Sequence, residues 1–378
     1  MQYQTESEFK EMLEVYRALP NKRNVMEIGS MMGDTLRGWS SVGGPGLNMV
    51  SVDWMVPPDD HRHEACKKAH ASWPAMVAEH GNKITVFNAN STLPETIANV
   101  RSVVPFLDFL FIDGGHDYNT VSADYHNYAP LVRPGGLIAF HDTSGSPPFH
   151  PEVRRLWEEV RGTTGFEINH PGGWGIAVLK APRIRLAILT ACSRPANLLK
   201  LKESVIPALE AFDLTWHIVG QHPGWEGNLP KDFLQPFIKL STFTGESVAG
   251  KGQINSVMSS LTDNEWIYVL DDDNVLHPDF CYGVRKLMLE KPNAQGLLLS
   301  QLDPRVSGGV RHASPGLENI KVCLIDQAQF VLKKSLIGNE LYANSYSGDG
   351  ELIEKIYSRN SPLFAHSSAP LSYYNKLA

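Results

Sequence analysis

The stretch Glu265–Phe280, EWIYVLDDDNVLHPDF, constrains this chain most. Trp266–Leu270 is apolar, aromatic and β-branched, the make-up of a buried strand. It stops at three consecutive carboxylates, Asp271, Asp272 and Asp273. Adjacent carboxylates at the end of a buried strand repel one another, and desolvation aggravates the repulsion. The run therefore predicts a positive partner, and a hard divalent cation with oxygen ligands suits it. Asn274 and His277-Pro278 turn the chain, and Phe280–Leu289 has the spacing of an amphipathic helix. Ligands of open α/β sheets bind beyond the carboxyl ends of the strands, so the run predicts a site rather than a solvated acidic turn.

The first half has the same grammar. Glu6–Leu19 spaces Phe9, Met12, Leu13 and Tyr16 along one helix face. Asn24–Ile28 is a short strand followed at once by Gly29-Ser30-Met31-Met32-Gly33, with a helix expected through Leu36–Ser40. Met49–Val52 is a second strand and Asp53 ends it. Glycines let a cofactor approach the backbone, and an acid about twenty residues on can hold both hydroxyls of a ribose. Ile84–Phe87 leads to Asn88-Ala89-Asn90-Ser91, and Leu107–Ile112 ends in Asp113-Gly114-Gly115-His116. Tyr118–Leu131 reads as a helix, and Arg133–Gly136 as a turn before the strand Leu137–Phe140, which ends in His141-Asp142. Pro151–Arg161 is a further helix, Gly172–Gly175 a tight loop, and Ile176–Leu179 a closing edge strand. Polar residues that follow strands predict a doubly wound parallel sheet with a site along one edge.

MEIGSMMGDT, VSVDW, NANST, LDFLFIDGGHDY and LVRPGGLIAFHDT, in this order, resemble a class I S-adenosylmethionine-dependent methyltransferase. They are most similar to the subgroup that methylates sugar hydroxyls and related oxygens. The resemblance covers roughly residues 20–180. It implies that Glu27, Gly29, Ser30 and Gly33 cradle the methionine part of the cofactor, and that Asp53 holds the ribose. It places Trp54 beside the adenine, with Asn90 and Ser91 at the adenine edge. Met31 and Met32 depart from the family's small residues at that turn. The same subgroup implies a magnesium-like ion at Asp113 and Asp142, with His141 beside them. A metal there orients sugar oxygens and acidifies the one attacked, and His116 is the candidate general base, because imidazole titrates near working pH.

A fresh α/β pattern begins after Ala181-Pro182-Arg183, which divides the chain into residues 1–181 and 182–378. Ile184–Thr190 is a strand that runs into Cys192-Ser193-Arg194-Pro195, Leu198–Leu209 a helix, and Trp216–Val219 a strand. Lys251-Gly252-Gln253-Ile254-Asn255 opens a helix that ends near Leu261. Asp326–Phe330 precedes a strand, and Ser347–Glu351 lies before the helix Leu352–Tyr357. ILTACSRP, KGQINSV and LDDDN resemble, in order, the nucleotide-binding turn, the donor-facing helix and the acidic metal motif of a GT-A glycosyltransferase. Inverting glucuronyltransferases are close to this pattern, and family-two enzymes are near neighbours. The resemblance implies donor contacts from Thr190, Ser193, Arg194, Lys251, Asn255, Asp271 and Asp272, with Asp273 and His366 on a manganese or magnesium ion. Asp349 and Glu351 are the two candidates for the base that deprotonates an acceptor hydroxyl. A cation that bridges carboxylate and diphosphate stabilises the departing charge.

At 378 residues the chain is long enough for two domains. A hydrophobic share of 42% and a charged share of 20% fit an ordinary globular protein. The net charge of −7, with no long basic run, disfavours a broad nucleic-acid surface. Four scattered cysteines form no CxxC pair, so neither a zinc site nor a disulfide framework is expected. A reducing, cytoplasmic setting fits, with no signal peptide and no membrane span. The leading expectation is a bifunctional enzyme. It would transfer a sugar from a nucleotide-sugar donor to a glycan acceptor and O-methylate a sugar hydroxyl with S-adenosylmethionine. Two alternatives stand beside it: the same chemistry on a hydroxylated nucleic-acid base, and a glycan-binding scaffold in which one domain is inactive. Donor, acceptor, methylated position and oligomeric state, a homo-oligomer included, stay open.

Overall fold

Leu107–Ile112 is buried at all six positions, the pattern of a strand covered on both faces of a parallel sheet. It is β4 of a seven-stranded sheet. The others are β1 (Asn24–Ile28), β2 (Asn48–Val52), β3 (Lys83–Phe87), β5 (Val132–His141), β6 (Phe166–Ile168) and β7 (Ile176–Lys180). The computed structural model describes residues 5–146, 150–231 and 233–377, and the chain divides into two compact units, Met1–Pro182 and Arg183–Ala378. In the first, the strand order is β3-β2-β1-β4-β5-β7-β6. The first five strands run parallel, and β7 and β6 are antiparallel additions.

The helices of this unit are α1 (Glu6–Ala18), α2 (Asp34–Gly43), α3 (His63–Ala78), α4 (Pro94–Val103), α5 (Tyr118–Tyr128) and α6 (Pro151–Val160). Tyr16 from α1, Trp39 from α2 and Phe109 and Phe111 from β4 are fully buried and pack edge to face or tilted, 4.9–6.3 Å between centroids. Each such side chain stabilises the fold by about 1.5–3 kcal/mol through burial. This knot holds the amino-terminal helix against the strands whose ends carry the site.

The unit departs from sequence expectation in three places. Arg133–Gly136 lies within β5 rather than in a turn before it; Gly135 takes φ 80° there, and the pairing with β4 slips between Leu107 and Phe109. Ile176–Lys180 is not an edge strand, because Phe166–Ile168 pairs on its outer side. Helices α3 and α4 were not anticipated. Pro74 sits inside α3 and argues locally against a helix, but Trp73, Met76 and Val77 are buried on one face and outweigh it.

The second unit is built on β8 (Arg185–Cys192), β9 (Asp213–Gly220), β10 (Ile238–Thr242), β11 (Trp266–Val269), β12 (Gly296–Leu302), β13 (Val310–Arg311), β14 (Phe330–Lys333) and β15 (Phe364–Tyr373). The order is β10-β9-β8-β11-β14-β12-β13, with β15 on β12. The sheet is mixed rather than doubly wound and parallel, since β14 runs antiparallel to both β11 and β12. Its helices are α7 (Leu198–Val205), α8 (Lys251–Met258), α9 (Phe280–Glu290), α10 (Lys334–Ile337) and α11 (Gly348–Asn360). The helix expected through Leu209 tightens to a 3₁₀ turn at Ile206–Glu210, where Pro207 removes a donor. Helix α11 begins at Gly348, so Asp349 and Glu351 lie in its first turn rather than ahead of it. Both units are mixed α/β. No helix among the described residues is long and apolar enough to cross a membrane.

Candidate functional site

A cavity of about 650 Å³ opens at the carboxyl ends of β1, β2, β4 and β5. Gly29, Ser30, Met31, Asp53, Trp54, Asn90 and Ser91 line one part of it. Asp113, His116, His141, Asp142, His150 and Trp174 line another.

Gly29 has φ 84°, and a Cβ there would stand 2.0 Å from the carbonyl oxygen of Asp113, so only glycine lets the first turn pass under the β4 end. Gly33, φ 82°, does not line the cavity; its missing side chain makes room for the Trp73 indole. Glu27 does not line it either. It is fully buried and accepts hydrogen bonds from the Thr35 hydroxyl and the Trp39 indole N–H. Burial, reinforced by Asp113, pushes its carboxyl up to about 8 against those two bonds. Asp53 accepts from the Met31 N–H, and its Oδ2 lies 3.6 Å from His70 Nε2. Burial raises its pKa, while Met31 and His70 work against the shift. The Trp54 indole is 72% exposed at the cavity rim. Asn90 Oδ1 accepts from the Thr92 N–H and hydroxyl, and the Ser91 carbonyl accepts from the Tyr128 hydroxyl.

The other part is a knot of imidazoles and carboxylates. His141 Nδ1 lies 3.1 Å from Asp113 Oδ1 and 3.2 Å from Asp142 Oδ2. Nδ1 is thus in ion-pair contact with both carboxylates, but neither ring nitrogen of this buried histidine has a hydrogen-bond partner. Burial opposes its charge, but the two carboxylates more than offset this and push it up to about 10. His116 Nε2 donates to Asp142 Oδ2 at 2.7 Å, and that bond raises the His116 pKa. Burial disfavours the Asp142 anion, but His116 and His141 hold its carboxyl well below the usual range. Asp142 sits at φ 63°, a conformation that costs a non-glycine residue and clusters at functional sites. Asp113, His141 and Asp142 present ligand atoms within 4.8 Å of one another, and so do His116, Asp142 and His150. Orphaned imidazole nitrogens among carboxylates are a donor set that fits a divalent cation. His70, His150 and Trp174 were missed by sequence reasoning. The signal for His150 was faint: a histidine just before the Pro151 that opens α6.

In the second unit the acidic run is spoken for. Asp272 accepts from the N–H groups of Ser193 and Arg194 and from the Ser193 hydroxyl. The Arg194 guanidinium spans Asp272 Oδ1 at 2.9 Å and Asp273 Oδ2 at 2.8 Å. Asp271 accepts from Gln327, whose amide oxygen accepts from the buried Lys251. Burial and the neighbouring Asp326 push Asp271 up to about 7. Asp349 in turn adds to the raised pKa of Asp326, behind burial as the main cause.

Other expected donor contacts point elsewhere. Thr190 is fully buried, donates to the Leu270 carbonyl and accepts from the Trp216 indole. Asn255 clamps the backbone of Tyr342 through both amide atoms. Glu351 is exposed and accepts from the Ser345 and Ser347 hydroxyls. His366 Nδ1 lies 3.1 Å from the Ala313 carbonyl. Among the described residues, no three-ligand cluster includes Asp273 or His366.

No curated protein matches the chain. Several solved structures are similar over about half of it. The O-methyltransferase TomG from Streptomyces achromogenes, involved in tomaymycin synthesis and solved with SAM, is 16% identical, over 47% of this chain and 81% of its own, with a TM-score of 0.34. A TDP-rhamnose 3′-O-methyltransferase of calicheamicin biosynthesis is 18% identical, over 46% and 78%, with a TM-score of 0.34. An O-methyltransferase from Bacillus cereus, solved with SAH, is 16% identical, over 48% and 93%, with a TM-score of 0.31. Likenesses at this level carry no chemistry to the present chain. The family description "Methyltransferase domain" matches residues 26–143, which span β1 to the Asp142 turn. Residues 26–143 of the first unit are a methyltransferase domain.

Proposed function

We propose that the first unit moves a methyl group from S-adenosylmethionine to a hydroxyl of a sugar or related small molecule, with a divalent cation at Asp113, His141 and Asp142. One observation carries this reading: a single cavity is lined both by the glycine turn with Asp53 and by the imidazole–carboxylate knot. When bound, the cofactor supplies an electrophilic methyl and the cation acidifies an acceptor oxygen.

The chain's own residues do the rest. Gly29 and Ser30 bring backbone to the cofactor, and Asp53 offers carboxylate oxygens to ribose hydroxyls. Trp54 gives the adenine an apolar face, and Asn90 and Ser91 meet its edge. Glu27 and Gly33 act from behind, by holding α2 and Trp73 in place. The bond from His116 Nε2 to Asp142 orients the ring and leaves Nδ1 to take the acceptor proton.

Calorimetric titration with S-adenosylmethionine tests the reading. Asp53→Ala removes two charge-assisted hydrogen bonds and is expected to cost ~2–4 kcal/mol of binding; unchanged affinity in a folded variant defeats the ribose assignment. Methyl transfer that persists in full after chelation removes the cation.

For the second unit, residues 182–378, we propose metal-dependent, inverting glycosyl transfer from a nucleotide sugar, so that the whole chain is bifunctional. What favours it is that Asp326, a buried acid from a separate segment, lies close enough to Asp271 to help burial raise its carboxyl, and that Asp349 of α11 acts in the same way on Asp326. Arg194 suits a diphosphate, Asp273 beside it is the cation ligand, and Asp349 is the base. Glu351 serves the helix start instead. Mass spectrometry of a nucleotide-sugar panel with manganese checks this. Asp273→Asn is expected to lose sugar transfer ~10²–10³-fold while methyl transfer continues. Absence of hydrolysis or transfer across the panel favours a glycan-binding scaffold.

A further inference from the structure

We propose that the cavity mouth of the first unit carries a second cation position, His116–Asp142–His150, that takes a borderline divalent transition metal and shares the Asp142 carboxylate with the inner set. The three residues come from three places: the loop after β4, the turn after β5, and the residue before α6. Their ligand atoms lie within 4.8 Å of one another. His116 Nε2 is 2.7 Å from one Asp142 oxygen, and His150 Nε2 is 3.9 Å from the other. One carboxylate thus faces two donor sets, with His141 on the inner side.

The position is built rather than incidental. The two imidazoles stack at 4.0 Å and 15°, and Trp174 backs His150 at 5.6 Å and 20°. The Trp174 loop is tied down twice. The Trp174 carbonyl accepts from the Ser144 N–H, and the buried Glu8 carboxylate accepts from the N–H groups of His170 and Gly175. A Cβ at Gly175 would stand 2.5 Å from the Ser144 nitrogen, so the loop and the Asp142 turn approach as closely as backbone allows. Both histidines line the cavity and are partly exposed, which gives an ion a way in.

Donor chemistry sets the preference. Two imidazoles and one carboxylate suit zinc, iron, nickel or cobalt, whereas magnesium and calcium prefer oxygen alone. A cation here takes the lone pair of His116 Nε2, and the neutral ring then carries its proton on Nδ1, so an ion at the mouth suspends the role of His116 as base. The inference rests on the cation-assisted reading of the inner set, but its readout is metal content and not activity.

Cobalt(II) is the probe, added to the full chain, with visible absorption and metal analysis after dialysis. The wild type is expected to hold two equivalents, His150→Ala one, Asp113→Ala one and Asp142→Ala none. His150→Phe, which keeps the stack on Trp174 without a ligand nitrogen, is expected to match His150→Ala and serves if that variant fails to fold. Two equivalents retained with unchanged spectrum and affinity in either His150 variant overturn the proposal. One equivalent in the wild type, lost with His150 and indifferent to Asp113, overturns the shared pair and leaves a single ion at the mouth. Calorimetry with S-adenosylmethionine on the same preparations tells its failure apart from that of the methyl-transfer reading: cobalt binding without cofactor binding sinks only the latter.

Discussion

Strands β5 and β11 both run out of a buried sheet into aspartate, yet the two strand ends come to opposite electrostatic arrangements. After β5, Asp142 faces imidazoles, one of them with both nitrogens unsatisfied, across an open cavity. After β11, Asp272 is closed by two backbone N–H groups, a hydroxyl and a guanidinium. The same signature, a carboxylate at a strand end, thus builds an imidazole–carboxylate cluster on a cavity in one unit and, at Asp272, a self-satisfied turn in the other. What separates Asp142 from Asp272 is the partner that tertiary packing brings: histidine, whose nitrogens can bind a metal, or backbone N–H groups and an arginine, which already compensate the charge.

The largest expected effect tests the closed end. Asp272→Ala strands the Ser193 and Arg194 N–H groups and leaves the Arg194 guanidinium to Asp273 alone, and is expected to cost about 3–5 kcal/mol of stability. Urea unfolding of the variant measures it, and a midpoint like the wild type's would mean that the turn is held by something else.

Next comes the frame of the open end. Gly29→Ala must enter left-handed backbone and push against the Asp113 carbonyl, so a loss of about 3 kcal/mol is expected. Because it displaces the strand end that carries Asp113, cation and cofactor affinity are expected to fall together; calorimetry that finds one intact would uncouple the two halves of the cavity.

A smaller effect depends on pH. The Glu27 carboxyl is raised by burial to about 8, above its unfolded value. The folded chain therefore holds a proton that the unfolded chain releases, and stability falls as pH rises from about 4.5 to 8. Glu27→Gln does not titrate, so its stability relative to wild type is expected to improve by about 2 kcal/mol between pH 6 and pH 8. Parallel unfolding curves at the two pH values, with a constant gap, would show that Glu27 is ionised in the fold. S-adenosylmethionine affinity is expected to change little, since Glu27 does not line the cavity. The smallest effect belongs to Glu351→Ala, which removes an exposed first-turn carboxylate that accepts from the Ser345 and Ser347 hydroxyls and is expected to cost about 0.5 kcal/mol in a melting experiment.

Legibility followed range. Gly29, Asp53, Asp113, His141 and Asp142 could be read because each sits next to its own strand, and a parallel sheet gathers successive strand ends at one edge. Glu27 and Gly33 belonged to the same motif, but which way a side chain turns depends on Thr35, Trp39 and Trp73, which pack from other elements. Thr190 and Asn255 looked like donor contacts by position. Their partners, Leu270 and Trp216 for one and Tyr342 for the other, lie 26 to 87 residues away in sequence. Helix α3 escaped because Pro74 is a local signal, and the buried face that overrides it is a tertiary one.

By itself, then, the sequence determined the buried strands β1, β2, β4 and β11, the glycine turn at Gly29, and which of those strands end in acids. Hydrophobic runs and glycines act over a few residues, so their pattern is written locally. Tertiary structure alone decided which acids are free. Arg194 reaching Asp273, His150 stacking on His116, and Trp174 held in place by Glu8 are meetings between segments distant in the chain, and a carboxylate's chemistry is set by whatever charge and donors arrive within a few ångströms of it.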